Sequence, residues 1–547
     1  MSTLPLPQAF ALAVQHHKAG RFKEAEPLYR QILAAQPNHA DALHFLGVLA
    51  HQTGRHELAA QLIQQAIVLK PGNSAAFSNL GEACRALRRF DEAIAGYTRA
   101  LELNPRSAET HYNLGNALGQ QSQFAAAAIA HRRALALKPH FPEASLNLGN
   151  MLREQGELEE AMAAYRNALE LRPNYADAQD NLCLALAEQG RLDDAITGYR
   201  RILENRPDDG SARFSLAMLL LRRGDFEHGW SLYESRWAAF RQAERRLAQP
   251  MWEGGPLNGR RVLIHAEQGF GDSIQFIRYA PLVAQRGGRV IVECQAGLKT
   301  LLAGGEGISE IVEHGESLPA FDLHCPMLSL PLVFGTRIET IPAAIPYLRA
   351  DGPKAVGWRQ RLDEETDSAV ERKSATRRPL QVGLIWAGNA RPHQRDANLI
   401  DRNRSMRLSQ FAPLAAVPGV VFVSLQKGPP AAQAKTPPEG MTLLDWTDEL
   451  HDFSDTAALI EALDLVISVD TAGAHLAGAL GKPVWVLNRF ASCWRWLLER
   501  TDSPWYPTLR LFRQTVRGDW TPVVAEVRER LELLAKTPPG RMGPLAE

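Results

Sequence analysis

Three things are scarce in this sequence: paired cysteines, an excess of one charge, and long apolar runs. The five cysteines, Cys84, Cys183, Cys294, Cys325 and Cys493, are scattered, with no Cys-x-x-Cys pair. That gives no disulfide framework and no thiolate metal site, and it suits a reducing compartment. Each is read as a small core residue. Lys plus Arg total 61, and Asp plus Glu total 61. There is thus no basic field of the kind a general nucleic-acid binder carries, and an anionic ligand has to be met by a local arrangement of donors. No stretch approaches the roughly 18 apolar residues that a membrane span requires. Met1–Lys18 lacks a basic region followed by an apolar run, so a cytoplasmic protein without a leader is expected. No His/Cys/Asp cluster stands at metal-ligand spacing, and neither metal nor cofactor is expected.

What is present is length and repetition. A chain of 547 residues is too long for one core, so two or three folded units are expected. Prolines fall at 37, 71, 105, 139, 173 and 207, leucines at 46, 80, 114, 148 and 182, and alanines at 25, 59, 93, 127, 161 and 195, all with one period of 34 residues. Each unit reads as two amphipathic helices closed by the proline, which stops the second helix. Gly47, Gly81, Gly115 and Gly149 let neighbouring helices approach. One such hairpin cannot bury its apolar face alone, but a stack can.

This pattern resembles the tetratricopeptide repeat. It covers residues 6–241, as six repeats and a closing hairpin in which Gly229 replaces the usual Ala. The resemblance implies an α-solenoid that binds a partner protein. Position six of successive repeats is Asn79, Asn113, Asn147 and Asn181, flanked by Phe45 and Ser215. An amide offers donors and an acceptor, so it can pair with a peptide backbone of any sequence. The column resembles the asparagine ladder of the O-GlcNAc transferases, which implies an extended acceptor polypeptide. Shared ancestry of duplicated repeats is the plainer explanation.

After Trp237 the period ends, and Gln242–Gly259 reads as a connector. Short apolar strands are expected at 261–266, 289–294 and 308–312, then at 380–386, 420–425, 464–469, 483–487 and 509–512, with helical patterns between them. Alternation of this kind argues for two parallel α/β units, 256–362 and 379–536, closed by a helix at 522–535. The polar stretch Asp363–Arg378 is expected to be a linker, and the tail 537–547 is expected to be disordered. Two such units in tandem are the plan of a GT-B fold, with ligands in the cleft between the carboxyl ends of the sheets.

The strongest local pattern is Leu463-Asp-Leu-Val-Ile-Ser-Val-Asp-Thr-Ala-Gly-Ala-His475. A strand ends at a turn made by Asp470 and Thr471, and an Ala/Gly-rich helix follows. A helix N-terminus suits a diphosphate, and Ala472 and Gly473 allow close approach. The plainer reading is a helix capped by Asp470. The segment is similar to the nucleotide-sugar loop of glycosyltransferase family nine, the heptosyltransferases, and more distantly to that of O-GlcNAc transferase. The resemblance implies that Thr471, Gly473 and His475 bind the donor diphosphate, with Asp470 shaping the turn or touching ribose or sugar.

In the first α/β unit, Glu267-Gln-Gly-Phe-Gly-Asp272 resembles the Gly-Asp turn of the same family. That implies Asp272 as the general base of an inverting transfer, with Glu267 second. An N-cap carboxylate is the alternative role for Asp272. Gln268, Gln275, Arg278 and Tyr279 are expected either on the acceptor side or behind the residues that touch substrate. The family implies a basic residue at the phosphates, here Arg404 with Ser405. Lys427 is a further candidate, for phosphate or for base and ribose. Trp386, Gly388 and Asn389 are expected to line the mouth of the donor site. The aromatic groups Trp494-Arg-Trp496 and Trp505-Tyr506 either cap the cleft or form core. No Asp-x-Asp motif follows a strand, so the resemblance implies a metal-independent GT-B transferase. The combination resembles bacterial tetratricopeptide glycosyltransferases, including those that modify flagellin. It implies transfer from a nucleotide sugar to Ser or Thr of a protein, with no nucleic-acid partner. A lipid-linked or polysaccharide acceptor, and a scaffold with an inactive transferase half, are the alternatives.

Overall fold

The computed structural model describes residues 5–239, 247–369, 378–390 and 395–536. The tail 537–547 therefore lies outside the described residues. The chain divides into two compact units, Met1–Gln189 and Gly190–Glu547.

The first unit is a run of helical hairpins. Its helices are Leu6–Lys18, Phe22–Ala35, Ala40–Gln52, His56–Leu69, Ser74–Ala86, Phe90–Leu103, Ala108–Gln120, Phe124–Leu137, Pro142–Gln155, Leu158–Leu171 and Ala176–Glu188. Asn73 and Ser107 cap first helices by accepting from the N–H of Ala76 and Thr110, satisfying donors the helix leaves open. The repeated glycine has a steric purpose. A Cβ on Gly81 would lie 2.6 Å from the Tyr97 ring, and one on Gly149 would lie 2.5 Å from that of Tyr165. Each tyrosine lies flat on the glycine and donates across its hairpin, Tyr97 Oη to Glu82 at 2.6 Å and Tyr165 Oη to Asn150 at 3.0 Å. The fourth hairpin breaks this rule. Gly115 faces His131, which is wholly buried, and neither ring nitrogen has a partner among the described residues.

The second unit opens with helices Leu192–Asn205, Gly210–Arg223, Phe226–Tyr233 and Arg236–Ala239, then builds two sheets. In the first, β1 (Arg261–His265), β2 (Arg289–Cys294), β3 (Ile308–Glu313) and β4 (Leu323–Pro326) run parallel in the order β3-β2-β1-β4. In the second, β5 (Leu380–Ile385), β6 (Val420–Ser424), β7 (Leu443–Leu444), β8 (Leu465–Val469), β9 (Val484–Asn488) and β10 (Leu509–Arg513) run parallel in the order β10-β9-β8-β5-β6-β7. β4 and β7 are not anticipated by the sequence. They are four and two residues long, too short to show a pattern of their own. The closing helix is Thr521–Lys536.

One core runs through this unit. Phe226, Trp230 and Tyr233 pack with Val262 and Ile264 of β1 and with Val484 and Val486 of β9. Trp230 Nε1 donates to Thr336 O at 3.0 Å, and its ring meets Trp494 edge-on at 5.2 Å. The other face of the second sheet has its own core around Val382, Phe422, Ile467 and Phe512. Within the connector, residues 242–246 lie outside the described ones; Met251 bridges to His324, and Trp252 and Leu257 are buried.

The expected linker is corrected in its first part. The helix Gly352–Ala369 continues through Asp363–Ala369, while residues 370–377 lie outside the described ones. Buried Leu362 and Thr366 anchor it. Its polar residues serve the buried amide of Gln381, which accepts from Arg359 at 3.0 Å and donates to Asp363 at 3.3 Å. Composition alone hides such a helix because few of its residues are apolar, and Arg359 and Asp363 are spent on a buried amide.

The irregular fourth hairpin yields a test. Burial pushes the His131 imidazole down to about 4 from 6.5. The folded form therefore holds it neutral while the unfolded chain takes a proton below the ordinary value, so stability is present above that value and lost as pH falls toward 4. The single group accounts for about 2 kcal/mol between pH 7 and pH 5. His131→Tyr restores the ring of the neighbouring hairpins, with Asn116 placed to accept. Chemical denaturation is expected to show the variant more stable than the parent, by a margin that widens from pH 7 to pH 5. An equal margin at both pH values would show that His131 is not the titrating group.

Candidate functional site

In both sheets the strand order reverses beside the first strand. β1 has β2 on one side and β4 on the other, and β5 has β6 on one side and β8 on the other. Crevices at the carboxyl ends of such reversals are where open α/β sheets bind ligands. The loops after β1, β5 and β8 hold most of the sequence-derived candidates.

After β8, Thr471 rather than Asp470 is the N-cap of the helix Ala472–Ala479, and its side chain makes no capping bond. The N–H of Ala474 donates to Thr471 O at 3.1 Å, and those of Ala472 and Gly473 are the ones left to meet a ligand. Thr471 Oγ1 lies 3.0 Å from Ser468 Oγ. Asp470 does not act as the cap, but its carbonyl accepts from Arg404 Nη1 at 2.9 Å. Gly473 packs closely on β5: a Cβ there would lie 2.1 Å from Ile385 Cδ1, which would have to move aside. Asp470, Thr471, Ala472 and Gly473 remain partly exposed.

His475 is buried. Its ring stacks on Trp496 at 5.3 Å, and Nδ1 lies 2.9 Å from Tyr506 Oη. Burial first, then the guanidinium of Arg495, pushes its pKa down to about 3, so it is neutral at any physiological pH. Tyr347 Oη donates to Ile274 O at 2.9 Å and accepts from Arg278 Nη2 at 2.8 Å. Tyr347 Oη also lies 3.4 Å from Tyr506 Oη, so the Tyr506 hydroxyl either donates to Nδ1 or accepts from it, with the imidazole proton on Nε2 or Nδ1 accordingly.

After β5, Asp401 organises the loop. It accepts from Arg404 Nε at 3.0 Å and Nη2 at 2.9 Å and from Ser405 Oγ at 3.3 Å. Ser405 Oγ in turn accepts from Gly388 N at 2.9 Å. Gly388 has no room for a side chain, with Asp401 Oδ1 2.2 Å from a would-be Cβ. Asn389 is exposed. Trp386 is corrected: it is fully buried in the second core and does not line a mouth. Lys427 is corrected too, because its ammonium donates to Thr447 O at 2.6 Å and Leu450 O at 2.9 Å and so ties a loop together. The neighbouring Gln426, which the sequence did not single out, clamps Trp386 N and Ala387 N at 3.0 and 2.8 Å.

After β1, the helix Phe270–Phe276 starts against the β8 turn. A Cβ on Gly271 would lie 3.0 Å from His475 Cδ2 and 3.5 Å from Ala472 Cα. Asp272 is not the N-cap, which is Gly269; as the third residue of the helix it reaches back, its Oδ2 accepting from Gly269 N at 2.9 Å, and its Oδ1 pairs with Arg495 Nη2. Glu267 is corrected as a base. Its side chain is 4% exposed and gripped by Arg236 Nε at 2.8 Å and by Leu328 N at 3.3 Å. The helix Arg236–Ala239 is thereby tied to the loop after β1. Arg278 and Gln275 are buried and face the interior, not an acceptor. Arg278 donates to Trp505 O at 2.7 Å and Gln275 O at 2.7 Å, and Gln275 Oε1 accepts from Arg495 Nε at 2.6 Å. Tyr279 is buried against Thr336 at 2.8 Å. Gln268 is partly exposed, and its carbonyl accepts from Gln295 at 2.7 Å. Trp494, Trp496, Trp505 and Tyr506 are core. The structure thus gathers Asp272, Arg404, Ser405, Asp470, Thr471, Gly473 and His475. It adds Arg495, whose only sequence signal is a cation set between two tryptophans.

In the first unit, Asn79, Asn113, Asn147 and Asn181 stand half-buried on successive first helices. Asn147 Nδ2 donates to Asn116 at 2.8 Å, Asn181 Nδ2 to Asn150 at 3.0 Å, and Asn79 Nδ2 lies 2.9 Å from His44 Nε2. The column therefore braces repeat to repeat. Asn147, Asn150 and Asn181 also line a cavity of about 380 Å³ with Leu146, Asp177 and Asp180.

Residues 10–76 and 182–249 match the family model "Tetratricopeptide repeat", and residues 81–122 and 149–190 match "TPR repeat". Protein FlbA of Caulobacter vibrioides is 26% identical over 335 residues, covering 56% of this chain and 52% of that protein. The chain thus spans about half the length of this curated relative. Among solved structures, MamA is 26% identical over 30% of this chain and 96% of its own, with a TM-score of 0.29. A thermophilic TPR protein of Thermus thermophilus is 26% identical over 33% of this chain and 99% of its own, with a TM-score of 0.28. Among the described residues no helix is long and apolar enough to cross a membrane, and no group of three His, Cys, Asp or Glu is placed to hold a metal. The first 250 or so residues of this chain carry tetratricopeptide repeats, the kind of module that binds partner proteins.

Proposed function

We propose that the second unit is a glycosyltransferase of the GT-B kind, which moves a sugar from a nucleotide-sugar donor to a hydroxyl of a protein held by the repeats. The observation that carries this is the meeting of two strand-end loops at one place, Asp470–His475 after β8 and Gly269–Asp272 after β1. The first offers a helix N-terminus without a side-chain cap, a neutral His475 that donates from Nε2 in one of its two tautomers, and the guanidinium of Arg404 alongside. These are the donors that a diphosphate requires. The second offers a carboxylate.

In the proposed step the acceptor oxygen bonds to the anomeric carbon as the bond from that carbon to the diphosphate oxygen breaks. The electron pair leaves with the nucleotide, and the hydroxyl proton passes to Asp272. Charge grows on the leaving diphosphate, so donors fixed beforehand at its site favour the transition state over the ground state. The Asn column and its cavity supply side-chain amides and carboxylates at an exposed face, which suits an extended polypeptide.

Two outcomes follow. Asp272→Asn is expected to keep donor binding and to lose transfer of labelled sugar by about 10²–10⁴, the usual share of a general base. Turnover at the parent rate would reduce Asp272 to a helix cap. Changing Asn79, Asn113, Asn147 and Asn181 together to Ala is expected to abolish labelling of the acceptor protein while calorimetric donor affinity stays at the parent value. Single changes should be nearly silent, since each neutral bond is worth about 0.5–1.5 kcal/mol. Undiminished labelling by a quadruple variant that melts like the parent would remove the column from acceptor capture.

A further inference from the structure

The carboxylate assigned the proton is not open to an acceptor. Asp272 Oδ1 is engaged by Arg495 Nη2, and the two side chains are only 19% and 11% exposed. Arg495 is held at three other points. Its Nε donates to Gln275 Oε1 at 2.6 Å, its Nη1 to Cys493 Sγ at 3.2 Å, and its guanidinium lies 4.4 Å from the Trp494 ring centre. Burial opposes its charge and Asp272 restores it, so the guanidinium stays protonated. A cation this deep needs an anion, and removing the anion without replacement is strongly unfavourable.

The pair lies close to the helix Ala472–Ala479: a Cβ on Gly271, the residue before Asp272, would lie 3.0 Å from His475 Cδ2, and His475 stacks on Trp496, the residue after Arg495. The charges of Arg495, Arg278 and Arg404 oppose a proton on His475, and that of Asp470 favours one. Gln275 Nε2 is fully buried with no partner among the described residues, and so are the indole nitrogens of Trp494 and Trp496. All three are N–H donors. Unmet buried donors are costly, and the Gln275 amide adjoins the guanidinium through Oε1 at 2.6 Å, with the Trp494 ring against it.

We propose that Arg495 is a shared ligand, which holds Asp272 while the site is empty and turns to the donor's diphosphate when one binds. This rests on the donor reading above. The exchange replaces one carboxylate with a group of greater negative charge and more acceptor oxygens, so the buried guanidinium is never left alone. Releasing Asp272 leaves its Oδ1 free to take the acceptor proton. The base is therefore unmasked only after the donor is in place, which makes donor-first binding a property of one side chain.

The test uses inorganic pyrophosphate, titrated by calorimetry into the full chain. If Asp272 and the diphosphate compete for Arg495, Asp272→Asn tightens pyrophosphate on the order of tenfold, the equivalent of one lost competing bond. Arg495→Gln weakens it by a similar factor, and the double variant behaves like Arg495→Gln. The sign of the Asp272→Asn effect decides, because that change preserves volume and keeps an oxygen facing Arg495, and it is read on protein whose thermal melt shows it folded at the titration temperature. Unchanged or weaker binding by Asp272→Asn, with binding lost in Thr471→Ala, would overturn the exchange and leave the donor site standing. Binding that none of the three substitutions alters, or no binding by parent and Asp272→Asn alike, would overturn both.

Discussion

Arg278 brings a positive charge into the interior of the second unit, and the two halves of the candidate site are set by what it bonds. Its guanidinium reaches the carbonyls of Gln275, Pro342 and Trp505 and the hydroxyl of Tyr347, and lies against the rings of Tyr347 and Tyr506. Gln275 belongs to the helix that carries Asp272. Tyr506 is the residue that fixes His475. A buried charge is tolerated only where each donor is met, so these segments cannot drift apart without leaving it unpaired. The constraint holds a helix of the first sheet against a loop of the second without any ligand.

The same economy joins the last helices to the α/β part. Phe226, Trp230 and Tyr233 stand where a repeat would present its hairpin, but they share a core with β1 and β9. Arg236 is 1% exposed and binds Glu234 and Glu267 together. Glu267 is therefore occupied by the attachment of these helices, which gives physical grounds for assigning the proton to Asp272 instead. The repeat pattern in sequence thus runs on past the point where contacts change allegiance, at Gln189 and Gly190.

That difference shows what a sequence makes legible. Repeats announce themselves because each turn of the period meets the same packing demand, seen in Gly81 under Tyr97 and Gly149 under Tyr165. Apolar strands such as β2 and β8 are buried along almost their whole length, so their boundaries are read nearly to the residue. The turn after β8 and the Gly-Asp turn are legible for a related reason, since small residues at a strand end allow two backbones to approach. What stays hidden is partnership. Lys427, Arg278 and Glu267 are polar residues beside the right strands, but their bonds go to Thr447, Trp505 and Arg236. No local pattern distinguishes a charge facing a ligand from one satisfying a distant carbonyl. Arg495 is the converse case: it lies 223 residues from Asp272 in sequence, and only the fold brings the pair together.

The central claim is that one cleft, assembled from loops of both sheets, holds a nucleotide sugar. Hydrogen–deuterium exchange of the full chain tests it most directly, with and without UDP-, GDP-, ADP- and CMP-sugars in turn. With the correct donor, protection is expected to rise together in residues 267–275, 401–405, 470–475 and 493–496, and to leave the repeats before residue 189 unchanged. Protection confined to the repeats, or absent from these four segments with every sugar, would contradict the account.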